Sequence, residues 1–253
     1  MSVTIMLDAG HYGKYNRSPV VKEYYESEAM WTLHLLLKEE LEKRGFGVKT
    51  TRKEQEKDME VYERGRAAKG CDLFLSLHSN AGDDPSVDRV EVYRPFDGGE
   101  DSLELGLALA NGIASCMNVS YGKARTRESK EYPGTEYYGV LRGASKVGVP
   151  LYFILEHSFH TNEKATRWLL QEENLRRLAV TEADILQSFY GISLPGDVNG
   201  DGKVNTVDYV MLKRGIMGTR VLTPEEKQSA DINADGRINT ADYLLLKKKI
   251  MEE

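Results

Sequence analysis

Short apolar runs at residues 3–7, 48–51, 73–77, 90–93 and 151–155 alternate with stretches of helical spacing at about 26–44, 61–68, 102–117, 163–170 and 172–189. The runs read as buried strands and the intervening stretches as helices, a pattern that implies an α/β layered domain with a mixed, largely parallel sheet flanked by helices. In the first helix Met30, Leu33, Leu37 and Leu41 line one face, and Gly45 ends it where a helix-terminating glycine belongs. In the stretch 102–117 the expected inward stripe is Leu103, Leu107, Ala110 and Ala114. Residues 12–25 and 118–138 are polar and aperiodic, and loops of that length in compact domains usually serve a binding site or are mobile. The first domain is expected over residues 1–194, the chain's Pro195-Gly196 marking the boundary with a second over 195–253.

Past that boundary the chain repeats itself. The stretch from Asp197 to Asp208 aligns with Asp231 to Asp242, and each leads into an apolar helix. Asp197, Asn199, Asp201, Lys203, Asn205 and Asp208 occupy loop positions 1, 3, 5, 7, 9 and 12, as do Asp231, Asn233, Asp235, Arg237, Asn239 and Asp242, with Gly202 and Gly236 at position 6. Oxygen donors at this spacing are what a hard calcium ion requires. An aspartate stands at position 12 where an EF-hand has glutamate, and residues 191–196 offer no helix leading in. The expectation is therefore two loop-helix halves, each holding one structural calcium. The segment resembles a type I dockerin, which implies an all-α module that folds with two calcium ions and docks onto a cohesin of a cellulosomal scaffold. Carried over by position, the recognition residues are Thr206, Val207, Lys213 and Arg214 in one copy and Thr240, Ala241, Lys247 and Lys248 in the other, and the symmetry suggests that either face docks.

Composition narrows the classes. With 40% hydrophobic and 29% charged residues the chain reads as soluble and globular, and its net charge of -6 argues against nucleic acid as the main partner. No apolar run approaches the roughly 18 residues that span a bilayer. Cys71 and Cys116 sit among apolar neighbours and are expected to be small buried hydrophobes rather than a disulfide. The first residues lack the basic start of a signal peptide, so a secreted, wall-associated role implies a leader already removed.

Candidate chemistry gathers at strand ends, where α/β folds place it. The first strand leads to Asp8-Ala9-Gly10-His11, the third to His78-Ser79-Asn80, and the fifth to Glu156, His157 and His160. A lone histidine at a strand end is more often a hydrogen-bonded structural residue than a ligand. Four residues before Met30, however, lies Glu26, at the mouth of the buried stripe. His11, Glu26 and His78 then form a zinc triad for hydrolysis, two imidazoles and a carboxylate with a fourth position left for water. Glu156, following Leu-Tyr-Phe-Ile-Leu where burial is costly without a partner, is the candidate acid/base. His160 is expected to be structural.

Together, Leu7-Asp8-Ala9-Gly10-His11, the Glu26 helix, Thr51-Arg52, Ser76-Leu77-His78-Ser79-Asn80-Ala81 and the stretch from Leu155 to Asn162 resemble the zinc-dependent N-acetylmuramoyl-L-alanine amidases of the Amidase_3 family over residues 1 to about 190. The resemblance implies one zinc held by His11, Glu26 and His78, Glu156 as acid/base, and peptidoglycan as substrate, cut between muramic acid and the L-alanine of the stem peptide. Ala9 and Met30 depart from the proline and asparagine that many members carry there, and neither is a proposed ligand. Asp8, the expected orienting neighbour of His11, and His157 are each expected as a supporting or a substrate contact. The run Lys123-Ala-Arg125-Thr-Arg127-Glu-Ser-Lys130 is either a solvated charged loop, the commoner case, or a contact for stem-peptide carboxylates. Two other readings are a zinc peptidase cutting within the stem and a silent wall-binding component. Glu156 favours an enzyme over the latter.

Overall fold

The strand β1 (Thr4–Ala9) is apolar on both faces, and burying both requires helices above and below the sheet. The computed structural model, which describes residues 3–192 and 194–252, provides them. β1 lies between β2 (Gly47–Thr50) and β3 (Leu73–Asn80), and the sheet continues through β6 (Leu151–Phe159), β4 (Val90–Tyr93) and β5 (Gly122–Arg125) in the order β2-β1-β3-β6-β4-β5. Neighbours run parallel except β4 and β6, which are antiparallel. The mixed, largely parallel sheet expected from the alternating pattern is therefore present.

Helix α1 (Glu26–Lys43) buries Met30, Leu33, Leu37 and Leu41 completely against β1 and β3. With it on one face pack α3 (Glu100–Met117) and α6 (Glu172–Phe189), α5 (Glu163–Leu169) lying beside α6. The other face carries α2 (Val61–Arg66) and α4 (Gly139–Lys146), which seal a cluster of Met6, Phe74, Tyr152 and Ile154 with Val140, Leu141 and Ala144. These two helices cross at glycine: a Cβ on Gly65 would stand 1.9 Å from the Val140 carbonyl oxygen, and one on Gly143 would stand 2.1 Å from that of Tyr62.

Three expectations needed correction. In α3 the buried stripe is Leu105, Leu109, Ala110, Ile113 and Ala114, while Leu103 and Leu107 are exposed. Leucine at 103, 105, 107 and 109 makes two faces equally apolar. The close contact of Gly106 with Phe153 and Ala124 decides which one faces the sheet. The supposed loop 118–138 contains strand β5, and α4 follows it. Strand β6 runs on past residue 155, so Glu156 and His157 are strand residues.

Residues from Tyr190 onward form a second compact unit with its own core of Val198, Val204, Leu212, Leu222, Ala230 and Leu246. It contains α7 (Thr206–Ile216), α8 (Pro224–Ala230) and α9 (Thr240–Glu252). Tyr209 and Tyr243, equivalent in the two repeats, stack with ring centroids 4.1 Å apart. Helix α8, which the repeat did not announce, lies between the two loop-helix repeats and leads directly into the second loop. Thr223 and Glu226 form a reciprocal capping box at its start.

Beneath the end of β3 lies a buried polar pair. β6 bulges there, with His78 paired to Glu156 but Asn80 to Phe159, and Ser158 takes a left-handed φ of 59°. At the bulge His157 Nδ1 donates to the His78 carbonyl at 2.9 Å, and its Nε2 meets Glu182 of α6 at 2.7 Å, with both side chains fully buried. Both ring nitrogens face acceptors, which favours the imidazolium, and Glu182 pushes the imidazole pKa up against the opposing effect of burial. Losing one member strands a buried charge. Glu182→Ala is expected to cost about 3–5 kcal/mol in chemical denaturation, while the double change Glu182→Leu with His157→Phe restores most of it. A single variant within about 1 kcal/mol of wild type would show that the pair is not ionic.

Candidate functional site

Gly10 begins the site. Its amide donates to the Leu77 carbonyl at 2.9 Å, and a Cβ there would stand 2.5 Å from His78 Cε1. The missing side chain lets the exit of β1 lie against the His78 ring. His11 follows with φ of 60°, its ring stacked on Tyr15 at 5.0 Å and edge-on to His78 at 5.1 Å. The first turn of α1 delivers Glu26 between the two imidazoles: Oε2 is 3.2 Å from His11 Nε2 and Oε1 is 2.9 Å from His78 Nδ1. Among the described residues, these three supply donor atoms lying within 4.8 Å of one another.

That spacing is a test of metal fit. Donors bound to tetrahedral zinc at ~2.0–2.1 Å stand about 3.4 Å apart; each imidazole nitrogen lies 3.2 or 2.9 Å from a Glu26 oxygen, and one donor atom from each of the three residues lies within 4.8 Å of the others. Two imidazoles and a carboxylate are also the donor types zinc takes. The residues present therefore suit the ion the sequence pointed to.

The electrostatics follow from burial. Burial alone would raise the Glu26 pKa, but hydrogen bonds from His11 and His78, with their charges, hold it well below the usual carboxylate range. The same pairing takes His78 the other way, up to about 9, although burial opposes it. Glu156, registered beside His78 on the neighbouring strand, is pushed up to about 7, first by burial and, against the pull of His78, by the charge of Glu26. Its Oε2 is buried with no hydrogen-bond partner among the described residues. Two carboxylates in one site are thus driven in opposite directions, one kept charged and the other poised near neutrality.

Asp8 does not orient His11. Its oxygens accept from Thr51 Oγ1 at 2.6 Å and Ser76 Oγ at 2.8 Å, and Arg64 stands 3.8 Å away. Tyr15 and Asn16 contact His11 instead. Asn16 Nδ2 lies 2.9 Å from His11 Nε2 and donates to Glu26 Oε2 at 2.7 Å. Nothing in the polar loop around Asn16 distinguished it, and only its left-handed φ of 51° in the structure marks it. Ser79, also missed, donates its amide to Glu26 Oε1 at 3.0 Å. His157 lies behind the His78 backbone, supporting that residue rather than facing the cleft. His160 bonds the Ser79 carbonyl and hydroxyl, and its Nδ1 lies 3.9 Å from Glu26 Oε2. Arg52 and Arg64 both donate to the Ala9 carbonyl and so brace the turn before His11. A cleft of about 430 Å³ opens over this ground, lined among others by His11, His78, Asp8, Tyr12, Tyr15 and Val140.

In the second unit the loops curl around their first acid. Asp197 accepts from the amides of Asp201 and Gly202, Asp231 from those of Asp235 and Gly236. Asp208 and Asp242, fully buried, accept from amides at the loop start, while Asn205 and Asn239 accept from Val207 and Ala241 as helix caps. Asn199 and Asn233 donate to Asp201 and Asp235, whose other oxygens accept from the amides of Lys203 and Arg237. The Asp197 pKa is raised, chiefly by burial and further by the charge of Asp208, a repulsion that a cation relieves. Hard oxygen donors around uncompensated negative charge suit calcium. Thr206, Val207, Lys213 and Arg214 on α7, and Thr240, Ala241, Lys247 and Lys248 on α9, are all exposed.

Similarities to known proteins agree with this division. Residues 195–251 match the model of the dockerin type I domain, and residues 5–188 that of the N-acetylmuramoyl-L-alanine amidase family. No curated protein matches the chain. Among solved structures, the catalytic domain of CwlV, an N-acetylmuramoyl-L-alanine amidase from Bacillus (Paenibacillus) polymyxa var. colistinus, is similar at 19% identity and a TM-score of 0.63, over 76% of this chain and 99% of that one. An N-acetylmuramoyl-L-alanine amidase from Clostridium difficile 630 gives 20% identity and 0.64, over 75% and 97%. The amidase AmiC2 of Nostoc punctiforme gives 21% and 0.61, over 75% and 97%. At these identities the structural likeness speaks for the fold, and the family match speaks for descent. The chain belongs to the N-acetylmuramoyl-L-alanine amidase family and carries a type I dockerin domain behind the amidase domain.

Proposed function

We propose that residues 1–194 form a zinc-dependent amidase that cleaves peptidoglycan between N-acetylmuramic acid and the L-alanine of the stem peptide. In this reading residues 195–253 tether it, outside the cell, to a cohesin of a cellulosomal scaffold. The observation that carries the reading is the convergence of His11, Glu26 and His78 within 4.8 Å, beside Glu156.

His11, Glu26 and His78 would hold the ion, which supplies a polarised water and a Lewis acid for the amide carbonyl. Glu156 acts as the proton carrier. With its pKa pushed up to about 7 it accepts a proton from the attacking water and returns it to the departing amine of L-alanine. Glu26 remains charged throughout and does not compete for that proton. Tyr15 stacks on the His11 ring, Asn16 donates to Glu26 Oε2, and the His157–Glu182 pair fixes the strand that carries His78. The open cleft suits a glycan with a peptide branch better than a small molecule would require.

In the second unit, Asp197, Asn199, Asp201, Lys203, Asn205 and Asp208 would bind one calcium ion, and their equivalents from Asp231 to Asp242 another. The exposed residues Thr206, Val207, Lys213 and Arg214, with their repeat partners Thr240, Ala241, Lys247 and Lys248, would contact the cohesin. Each pair of positions stands two helical turns apart, on one face of its helix.

Mass spectrometry of peptidoglycan digests tests the reaction. Free stem peptides beginning with L-alanine are expected. New amino termini inside the stem would reassign the enzyme as a peptidase, and intact substrate would leave a wall binder. Glu156→Gln is expected to retain the metal while losing roughly 10²- to 10⁴-fold in turnover. Wild-type turnover would remove Glu156 from the mechanism. For the second unit, chelating calcium selectively is expected to abolish cohesin binding and to lower this unit's thermal transition in calorimetry, by the equivalent of about 2.7 kcal/mol for each of the two sites if the ion was present at a hundredfold its Kd. Undiminished docking without calcium would contradict the assignment.

A further inference from the structure

Beyond Glu156, the same face of the sheet continues into a cluster that the hydrolytic step does not use. Glu91 on β4 is registered with Glu156, and both lie in the row begun by His78. Glu91 is almost fully buried, at 3% exposure, yet it is crowded with donors. Arg89 Nε lies 2.7 Å and Arg125 2.8 Å from its Oε1, while Asn80 Nδ2 and the Tyr93 hydroxyl donate to Oε2 at 3.2 and 3.1 Å. Two guanidinium groups therefore share one carboxylate, leaving a net positive charge beside the reacting centre.

Both arginines are held and yet reachable. The Arg89 guanidinium sits over the Phe159 ring at 4.9 Å, and Arg125 is fixed on strand β5, next to β4. Their side chains keep 25% and 38% of their exposure. The Nε of Arg125 is buried and has no hydrogen-bond partner among the described residues. A cluster that only tied β4 to β5 would need one arginine for its one acid. The second adds guanidinium N–H groups beyond those that Glu91 takes, and paired guanidinium N–H groups are the donors that take a carboxylate in two parallel hydrogen bonds.

We propose that Arg89 and Arg125, anchored by Glu91, form a subsite for a carboxylate of the substrate's peptide part. Strands lie ~4.8 Å apart, so the Glu91 row is about 10 Å from that of His78. An extended peptide covers that distance in about three residues at ~3.4 Å each, so the carboxylate recognised lies two to three residues from the amide that is cut. The inference rests on the amidase reading and extends it from the bond broken to the peptide accepted.

The test uses the full chain and pairs of muramoyl-L-alanyl peptides that differ only in one carboxylate, replaced by a carboxamide at the second or the third residue. KM and kcat are measured for each, and binding of the corresponding free L-alanyl peptides is measured by titration calorimetry. At one of the two positions the wild type is expected to favour the carboxylate by roughly 10- to 100-fold, in KM and in Kd. Arg125→Gln is expected to erase that preference with a much smaller effect on kcat, and Arg125→Lys to restore part of it. Arg167→Gln, a change on α5, is expected to keep the wild-type ratio. Equal treatment of acid and amide at both positions by the wild type, or an unchanged preference in Arg125→Gln and Arg89→Gln, overturns the subsite. Cleavage without preference sinks the subsite and leaves the amidase; preferential binding without cleavage does the reverse.

Discussion

The site depends on one buried carboxylate. Glu26 is 1% exposed and meets the imidazoles of His11 and His78, the amide of Ser79 and the side chain of Asn16. An ionised acid removed from water survives only with this many partners, and they come from two other parts of the chain, the segment between β1 and α1 and the end of β3. Placing it thus draws the exit of β1, the first turn of α1 and the end of β3 to one point. The dipole of α1 adds to the effect, since a negative charge is favoured in a helix's first turn. The loop before the helix is fastened by the same turn, through the Ser27 hydroxyl donating to the Gly13 carbonyl at 2.7 Å.

From that arrangement follows a division of labour between acids. Glu26 is surrounded by donors and stays charged, whereas Glu156, registered between His78 and Glu91, is buried with an orphaned oxygen and is driven toward neutrality. Three carboxylates, Glu26, Glu156 and Glu91, then lie close together with three different sets of partners. Imidazoles hold the first, arginines the third, and the middle one is left free to exchange a proton. A metal bound at the first of these would favour the ionised form of every acid nearby, Glu156 included, and the ionised form is the one that accepts a proton.

The strands that build the site were legible because a parallel strand buried on both faces must be a continuous apolar run, as in β1, β3 and β6. The same feature made their terminal His11, His78 and Glu156 conspicuous. β5 was invisible because an edge strand needs only one apolar residue inside: Gly-Lys-Ala-Arg places Ala124 against Gly106 and leaves Lys123 exposed. Helix α4 was hidden by its glycines, which read as breakers but are the means by which it packs against α2. Asn16, Ser79 and Glu182 were illegible for a different reason: each acts through a partner distant in sequence that only the fold brings near. Asp8 was assigned to His11 by nearness in sequence, and the pleat sends it to Thr51 and Ser76 instead. In the second unit the repeat made every loop position readable, while α8, signalled by Thr223-Pro-Glu-Glu226, was overlooked because it has no counterpart before the first loop.

The central claim is that three side chains, converging from β1, α1 and β3, hold one catalytic zinc. Competitive zinc titration of the full chain, with the calcium loops saturated by calcium, tests it most directly. The account predicts one tight zinc per wild-type chain, and a loss of affinity of several orders of magnitude in His11→Ala, Glu26→Ala and His78→Ala alike. Tight zinc retained in any one of these variants, with the fold intact by circular dichroism, would contradict it.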